Sequence, residues 1–411
     1  MLCLLYWLKF KKKGLIKLKV YKRLNQEAIF DNFRKVFVPN TPEERIRQQI
    51  AELLVSKMAV PREFIYTEYP LCRIDDSTRK RVDILVAYRE KDQLYGLLVI
   101  EVKSRKIPLN DRVISQVIEY QNILGCEYIG IVNDKNIEDM IIYKVEDDGE
   151  LLQIDGVPQY NELLSKIGLQ FSPPFSPPER YSYKEIISTK YLEELYYDLG
   201  IIGQDTPKRL WPIIGELNNF LEAEEIDKNL PYTYGDITIC EDIGSSLLNF
   251  GNASGAIFTT LYRGFIIKGL NGNDEICRIA INSVGRTVNH PKYGNRKGTT
   301  VLNVAVDNFD KASDHVLELC LDRWLKPTNK CFELWHDGRM SMIKSKIVIS
   351  YISEKAPQLI KDGGIYLGML PMNMPINWEI ARELLARILL YASIRKELRE
   401  LRKKGLINTI V

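Results

Sequence analysis

The stretch Leu97-Leu-Val-Ile-Glu-Val-Lys103 decides the fold of the N-terminal part of this chain. Its first four residues are apolar, which is typical of a strand covered on both faces of a sheet. Residues two apart share a face of a strand, so Glu101 and Lys103 project together, with backbones about 7 Å apart. Two buried charges are costly without partners. We therefore expect a partner or a ligand at this end of the strand.

A second acid interrupts the preceding apolar run, Arg81-Val-Asp-Ile-Leu-Val-Ala87. If the two strands are neighbours, Asp83 and Glu101 converge on one point. Two carboxylates, a backbone carbonyl and water suit Mg²⁺ or Mn²⁺. In such a site Lys103 would stand beside the metal-bound water. The alternative for Glu101 and Lys103 is a same-face ion pair, worth roughly 0.2–1 kcal/mol if exposed.

Patterns of helix and strand alternate around these two runs. Thr41 is placed to cap a first helix. Asn110 or Asp111 caps a second helix that ends before Gly125, and residues 128–132 return as a strand. The order helix, strand, strand, strand, helix, strand predicts an α/β fold with helices against a central sheet.

This ordered set resembles the PD-(D/E)xK nuclease superfamily and, within it, the N-terminal nuclease domain of type I restriction enzyme R subunits. The resemblance implies a restriction-endonuclease-like core with a mixed central sheet flanked by helices. It departs from the motif at Val82, which replaces the proline. It covers residues 41–133, under a third of the chain, through Thr-Pro-Glu-Glu-Arg-Ile-Arg-Gln (41–48), Glu68-Tyr-Pro70, Arg81-Val-Asp-Ile-Leu85, Val-Ile-Glu-Val-Lys-Ser (99–104), Gln116-Val-Ile-Glu-Tyr120 and Leu124-Gly125.

The resemblance also implies roles for individual side chains. Asp83 and Glu101 would hold the metal, and Lys103 would assist the attacking water. Gln116 and Tyr120 would line the site from the second helix, since residues four apart share a helix face. For these two helix residues the alternative is ordinary helix packing.

An acid on the first helix often joins such a site, and Glu44 is the residue we assign to this role. Glu44 also fits a capping box with Thr41, which is the alternative interpretation. Helical spacing puts Glu43 nearer the apolar face.

The amino-acid composition limits the classes of protein to which this chain can belong. The 411 residues are 45% hydrophobic and 27% charged, as in soluble globular proteins. Seven scattered cysteines without a C-x-x-C pair argue against a zinc module or a disulfide framework and predict a cytoplasmic location. No apolar run approaches the roughly 20 residues of a membrane span. Residues 1–40 carry a net charge of +8 against +3 for the whole chain, which predicts a poorly ordered basic leader.

The chain divides at one proline-rich stretch, Phe171-Ser-Pro-Pro-Phe-Ser-Pro-Pro178, which forbids helix. We therefore predict a nuclease-like domain over 41–168 and a linker over 169–180. A helical segment follows over 181–230. Residues 231–411 are predicted to form a β-rich recognition or regulatory domain that ends in an amphipathic helix over 378–404.

A basic stretch over 286–298 is a candidate nucleic-acid contact. Arginine and lysine can bind phosphates there, and the tyrosine can stack on a base. The alternative is a solvated surface loop. The residues assigned to nucleic-acid binding are Arg286, Lys292, Tyr293, Arg296 and Lys297.

The remaining motifs argue against other chemistry. His290, His315 and His336 lack metal-site spacing and are interpreted as structural or surface residues. Asp337-Gly338 predicts a two-residue hairpin turn between strands at 331–335 and 339–343. The chain has no G-x-x-x-x-G-K-[ST] loop, so we expect no ATP site.

The sequence therefore predicts a Mg²⁺- or Mn²⁺-dependent endonuclease acting on double- or single-stranded DNA. A role in restriction and defence against foreign DNA, with a homodimer or other defence-system subunits as partners, is implied by the resemblance. One alternative is a catalytically inactive nuclease-fold protein that binds DNA or acts as a scaffold. Another is an RNA-directed or ligand-gated nuclease.

Overall fold

The structure is a computed structural model of the 411-residue chain. It describes residues 18–24, 26–90, 93–134, 137–166, 168, 181–222, 229–252, 255–307 and 315–407. The chain divides into two compact units, Met1–Phe175 and Ser176–Val411. The predicted linker at 169–180 lies outside the described residues. Within these ranges, no helix is both long and apolar enough to span a membrane.

The first unit is a mixed α/β structure. Its helices are α1 (Pro42–Met58), α2 (Asp111–Leu124) and α3 (Tyr160–Lys166). Short 3₁₀ turns lie at Arg62–Phe64, Leu71–Arg73 and Ile137–Asp139. Its strands are β1 (Val20–Arg23), β2 (Gln26–Asp31), β3 (Val36–Pro39), β4 (Ile65–Pro70), β5 (Arg81–Glu90), β6 (Gln93–Val102), β7 (Tyr128–Val132), β8 (Ile141–Val145) and β9 (Leu151–Ile154).

The central sheet has six strands in the order β4-β5-β6-β7-β8-β9. Neighbouring strands are antiparallel except β6 and β7, which are parallel and are connected through α2. One face packs against α1 and α3, and the other packs against α2. The predicted mixed central sheet with helices against it is confirmed, and β6 is buried on both faces as its apolar run indicated.

Local signals explain where the two main helices begin and end. The side chain of Thr41 accepts a hydrogen bond from the backbone N–H of Glu44 at the start of α1, with Pro42 in the first turn. Helix α2 follows Asn110 and ends at Gly125, whose φ of 67° favours glycine. Both helices therefore begin where the sequence predicted, although the Asn110 side chain makes no capping hydrogen bond to α2.

Residues 20–39 form a three-stranded antiparallel sheet, β1-β2-β3. The expectation of a poorly ordered leader is therefore wrong for this part, whereas residues 1–17 lie outside the described residues. Net charge averages over all positions, but a strand needs an apolar residue only at the positions that face the core. Tyr21 and Ala28, which pair in the register, supply one buried face, and Ile29 is buried on the other.

The second unit is rich in strands, as predicted. Its helices are α4 (Tyr183–Ile186), α5 (Thr189–Tyr197), α6 (Trp211–Glu222), α7 (Leu321–Trp324), α8 (Ser345–Lys355) and α9 (Trp378–Lys403), with 3₁₀ turns at Lys208–Leu210 and Pro357–Leu359. Its strands are β10 (Tyr232–Tyr234), β11 (Ile237–Gly251), β12 (Ile257–Lys268), β13 (Asp274–Val284), β14 (Thr287–His290), β15 (Gly294–Arg296), β16 (Thr299–Val306), β17 (His315–Cys320), β18 (Leu325–Pro327), β19 (Cys331–His336), β20 (Ile360–Lys361) and β21 (Gly364–Pro371).

Three sheets build the described part of this unit. A six-stranded antiparallel sheet has the order β10-β11-β12-β13-β16-β17, a four-stranded sheet has the order β18-β19-β21-β20, and β14 pairs with β15. The predicted C-terminal helix is confirmed as α9, which packs its apolar face into the largest core cluster together with α6.

The predicted hairpin around Asp337-Gly338 is wrong. Strand β19 pairs with β18 and β21, not with residues 339–343. Beyond Gly338 the chain makes only an isolated bridge between Met340 and Ile343 and then enters α8. Both bridge residues are buried in the core, so tertiary packing overrides the local turn signal.

Candidate active site

The two predicted metal ligands lie opposite each other on neighbouring strands. Asp83 and Glu101 each stand one residue beyond the Ile84–Ile100 pair of the β5–β6 register. They are 8% and 2% exposed, respectively. The backbone N–H of Val102 donates a hydrogen bond of 2.7 Å to Oδ2 of Asp83, which fixes this carboxylate at the end of β6. The convergence expected from the sequence is therefore present in the structure.

Glu101 is the most perturbed acid of the cluster. Its Oε1 accepts a hydrogen bond from Nζ of Lys103, whereas its buried Oε2 has no hydrogen-bond partner among the described residues. Burial, reinforced by the negative charge of Asp83, raises the pKa of Glu101 to about 8. An unpartnered carboxylate oxygen in a buried position is what a cation would neutralise.

The remaining residues predicted for the site form a chain of hydrogen bonds toward α2. Nζ of Lys103 donates to Oε1 of Gln116 at 3.2 Å, and Nε2 of Gln116 donates to the Tyr120 hydroxyl at 2.6 Å. Burial raises the pKa of Tyr120 to about 12, so the phenol keeps its proton at neutral pH. Gln116 and Tyr120 therefore do more than pack the helix, because they hold the Lys103 amine from the α2 side.

Arg47 on α1 was not predicted as part of the site. Its Nη2 lies 2.6 Å from Oδ1 of Asp83, and its Nη1 pairs with Oε2 of Glu44 and, at 2.8 Å, with Oε1 of Glu68. Arg47 is only 5% exposed, and these anions hold its pKa above the ordinary value. The spacing of Glu43, Glu44 and Arg47 was a readable signal, because residues three and four apart meet on a helix.

Glu68 is the second residue that sequence reasoning missed. The pairs Thr67–Ile84 and Tyr69–Val82 place it opposite Asp83 in the register, so Glu68, Asp83 and Glu101 form one row across three strands. Its φ of 52° lies in the left-handed region, which costs energy for a residue with a side chain. No sequence pattern marks a glutamate for that conformation.

The two acids at the start of α1 differ in their surroundings. Glu44, the residue assigned to the site, accepts from Nε2 of Gln48 at 2.9 Å and pairs with Arg47; its pKa is raised by burial. Glu43 interacts electrostatically with both Asp83 and Lys103, and burial raises its pKa, with the charge of Asp83 adding to the rise. Glu43 therefore belongs to the immediate surroundings of Asp83, and Glu44 is linked to that residue through Arg47.

The donor set fits a hard divalent cation only as a two-carboxylate site. In the part of the chain that the structure describes, no three His, Cys, Asp or Glu side chains form a group that could hold a metal ion. Asp83 and Glu101 each offer carboxylate oxygens, and Oε2 of Glu101 has no hydrogen-bond partner among the described residues. Water or backbone carbonyls would complete the coordination of the cation.

The residues predicted to bind nucleic acid lie on the β14–β15 hairpin of the second unit and its flanks. Nζ of Lys292 and the guanidinium of Arg296 lie 5.2 and 4.6 Å from the centre of the Tyr293 ring. Arg286 instead forms an ion pair with Asp205. Lys297 is exposed beside them. The hairpin thus presents two cations gathered around one aromatic ring.

Residues 42–158 match the family model of the type I restriction enzyme R protein N terminus. This match coincides with the nuclease-like region suspected from the motifs. The segment is therefore similar to the N-terminal part of type I restriction enzyme R proteins. Neither the curated proteins nor the solved structures gave a match to this chain.

Proposed function

We propose that the first unit is a Mg²⁺- or Mn²⁺-dependent endonuclease that hydrolyses DNA phosphodiesters in restriction or defence against foreign DNA. The observation that carries the proposal is the pair of opposed, buried carboxylates with an amine alongside. The family match over 42–158 supports the same class of chemistry.

Each residue of the proposed site would have a role that follows from its position. Asp83 and Glu101 would hold the cation, which when bound polarises a phosphate oxygen and offsets the charge that develops in the transition state. The Lys103 side chain, held between Glu101 and Gln116, would orient the attacking water or, once it has lost its own proton, take the proton of that water. The Lys103 side chain is 18% exposed, so a phosphate group that approaches from solvent can contact it.

Arg47 pairs with the acids of the proposed site before any cation binds. In the structure its guanidinium pairs with Asp83, Glu44 and Glu68, while Lys103 donates a hydrogen bond to Glu101. The acids are therefore paired before a cation arrives, which keeps the cost of gathering them low. A cation would compete with these ion pairs for Asp83 and Glu101.

The test is cleavage of supercoiled plasmid, single-stranded DNA and single-stranded RNA with Mg²⁺, with Mn²⁺ and with EDTA. We expect metal-dependent DNA cleavage that falls at least about 100-fold in Asp83→Asn and Lys103→Ala, the scale of losing a metal ligand or a proton-transfer group. The matched controls are Asp111→Asn and Lys106→Ala, two exposed residues of the same region, which should cleave like the wild type.

Each other outcome selects an alternative. Unchanged cleavage by purified Asp83→Asn would mean that another site does the work. Cleavage of RNA alone would favour the RNA-directed nuclease. DNA binding without any cleavage, together with no Mn²⁺ binding in calorimetry, would favour the inactive nuclease-fold scaffold.

A further inference from the structure

Strand β21 of the second unit has one edge that is mostly without a neighbouring strand. One edge of β21 pairs with β19 from Ile365 to Pro371. The other edge pairs with β20, but only at Gly364 and Ile365. In the described part of the chain, no strand therefore lies beside residues 366–371 on that side. An open strand edge presents N–H and C=O groups with which another strand can pair.

The register of β19 and β21 shows which backbone groups face the open edge. The N–H of Met372 donates to the carbonyl of Lys330 at 3.4 Å, so these two facing residues form a hydrogen-bonded pair. Hydrogen-bonded and non-bonded pairs alternate along antiparallel strands. Met369 and Pro371 lie at odd distances from Met372 in the same register, so they belong to non-bonded pairs. Their backbone groups point away from β19, and Met369 supplies both a donor and an acceptor because proline has no N–H.

The fold uses only one end of this edge. The carbonyl of Tyr366 accepts a hydrogen bond of 3.4 Å from Nη1 of Arg387. The same guanidinium lies 5.3 Å from the centre of the Tyr366 ring and 4.9 Å from that of Tyr234 on β10. Within the described residues, the backbone of Met369 makes no hydrogen bond that would occupy the open edge. Arg387 therefore closes the edge at Tyr366, and residues 367–371 stay open.

A cavity of about 560 Å³ lies beside this open edge. Met369 of β21, Ile380 of α9 and Tyr232 of β10 all line it. Gly368 brings β21 directly against α9, because a Cβ at this position would lie 3.3 Å from Cα of Leu384. The volume is in the range of ligand sites in proteins. Space for an occupant is therefore present next to the unused backbone groups.

The lining of the cavity favours an apolar side chain. Met369 and Met374 are 59% and 46% exposed, respectively. Methionine side chains are flexible and adapt to apolar partners of different shapes. Tyr232 and Ile380 extend this apolar surface.

The charges around the cavity favour an acidic residue in the occupant. On α9, Arg382 pairs with Glu379 at 2.6 Å and Arg387 pairs with Glu383 at 2.9 Å. Lys330 also lines the cavity and is exposed, and it forms no ion pair with any described residue. An acid placed near Lys330 would complement this charge.

We propose that an extended segment of a partner protein binds along β21 as an added strand. One of its apolar side chains occupies the cavity, and an acidic residue lies near Lys330. Because β10 and α9 line the cavity together with β21, it admits a lone extended segment and not the edge of a second folded sheet. The proposal rests on the second unit alone and does not depend on the nuclease activity of the first.

The test screens the full chain against an array of capped heptapeptides that carry apolar residues at alternate positions and one aspartate. Calorimetry then measures the affinity of the strongest binder. We expect Met369→Pro to lower this affinity at least tenfold, because proline removes the N–H that faces the open edge without removing a bond to β19. Met369→Ala is the matched control, because it keeps this N–H, and it should bind within about threefold of the wild type.

Two further readouts test strand addition directly. The best peptide is made with N-methyl groups at its even positions and, separately, at its odd positions. Only one of these two forms should keep binding, because only alternate N–H groups of a strand face β21. In the unmodified complex, hydrogen exchange at the Met369 amide should slow.

Several outcomes would overturn the proposal. These are the absence of any binder in the array, equal binding by both N-methylated forms, undiminished binding by Met369→Pro, and binding that leaves the Met369 amide unprotected. Should Met369→Pro fail to fold, the N-methylated peptides and the exchange of the Met369 amide decide the question on the wild-type chain.

Discussion

Arg47 shows how one side chain decides the energetics of the candidate site. It forms ion pairs with Asp83, Glu44 and Glu68 in a position that is 5% exposed. Removing one partner of a buried charge network leaves the others uncompensated. The same guanidinium would oppose a second cation, so we propose that the site, if it holds a metal, holds a single ion.

We predict that Arg47→Gln loses about 3–5 kcal/mol of stability in EDTA, the range for breaking a buried ion pair. The measurement is urea denaturation followed by hydrogen-exchange protection of β5 and β6. Arg45→Gln is the control on the same helix, because Arg45 is only partly buried and bonds Asn40; it should change stability by about 1 kcal/mol or less. Equal losses in both variants would contradict the role given to Arg47.

Glu101 predicts an unusual pH dependence for the metal-free protein. Its folded pKa of about 8 lies above the unfolded value near 4.5, so the folded state holds the proton more tightly. This contribution to stability is fully present below about pH 4.5 and is lost as the pH rises through about 8. In EDTA, the stability of the wild type relative to Glu101→Gln should therefore fall between pH 5 and pH 8.5. A difference that stays constant over this range would contradict the burial of a protonated Glu101.

At the scale of elements, the β14–β15 hairpin is a separate candidate for nucleic-acid contact. Lys292 and Arg296 lie around Tyr293 on its surface. Removing a side chain that binds a phosphate weakens binding at every sequence and lowers the slope of log affinity against log salt by about 1. We therefore predict that the double variant Lys292→Glu, Arg296→Glu weakens binding to a DNA duplex and reduces that slope by about 2.

Fluorescence anisotropy from 50 to 200 mM salt measures this effect. Lys268→Glu changes an exposed lysine at the end of β12 and should leave binding and slope near the wild-type values. If both variants weaken binding equally, the effect comes from overall charge and the hairpin has no specific role in binding.

The same scale shows what a sequence can and cannot reveal. Strands β5 and β6 were predictable because an acid that interrupts a buried apolar run is visible in the letters, and their antiparallel pairing brings Asp83 opposite Glu101. Strands β1 to β3 were missed because the lysines that precede them, between residues 9 and 19, dominate the composition of the first 40 residues. The hairpin after β19 was wrongly predicted because a two-residue turn signal is local, while Met340 and Ile343 pack into a core built from distant segments.

The residues of the candidate site also separate into those that the sequence predicts and those that it does not. Asp83, Glu101 and Lys103 are fixed by strand periodicity and lie together as expected. Arg47 and Glu68 join them from α1 and β4 through tertiary contacts that no single periodicity encodes. The left-handed backbone of Glu68 is visible only in three dimensions.

At the scale of the whole molecule, the two units should respond differently to acid. All three histidines, at 290, 315 and 336, lie in the second unit. Burial lowers the pKa of His315 to about 4 and that of His336 to about 3. In the unfolded chain the histidine pKa lies near 6.5. The neutral, buried imidazoles therefore contribute fully to the stability of the second unit above pH 6.5, and this contribution is lost as the pH falls toward 4.

We predict that hydrogen-exchange protection in β17 and β19, corrected for the intrinsic rate, falls between pH 7 and pH 4.5. Protection in β6 and β7 of the first unit should not fall over the same interval, because protonation of Glu101 favours the folded state as the pH drops. The comparison is internal, because both units are read in one sample. A uniform loss of protection in both units, or none in either, would contradict the histidine explanation.

The parallel pairing of β6 with β7 has a consequence for biosynthesis. Strand β6 gains this neighbour only after another 26 residues, from 103 to 128, have been added, and until then one edge of an apolar strand has open N–H and C=O groups. A chain that ends within this interval would expose an aggregation-prone strand edge next to Glu101. Such a truncated chain should therefore aggregate more readily than one that includes β7.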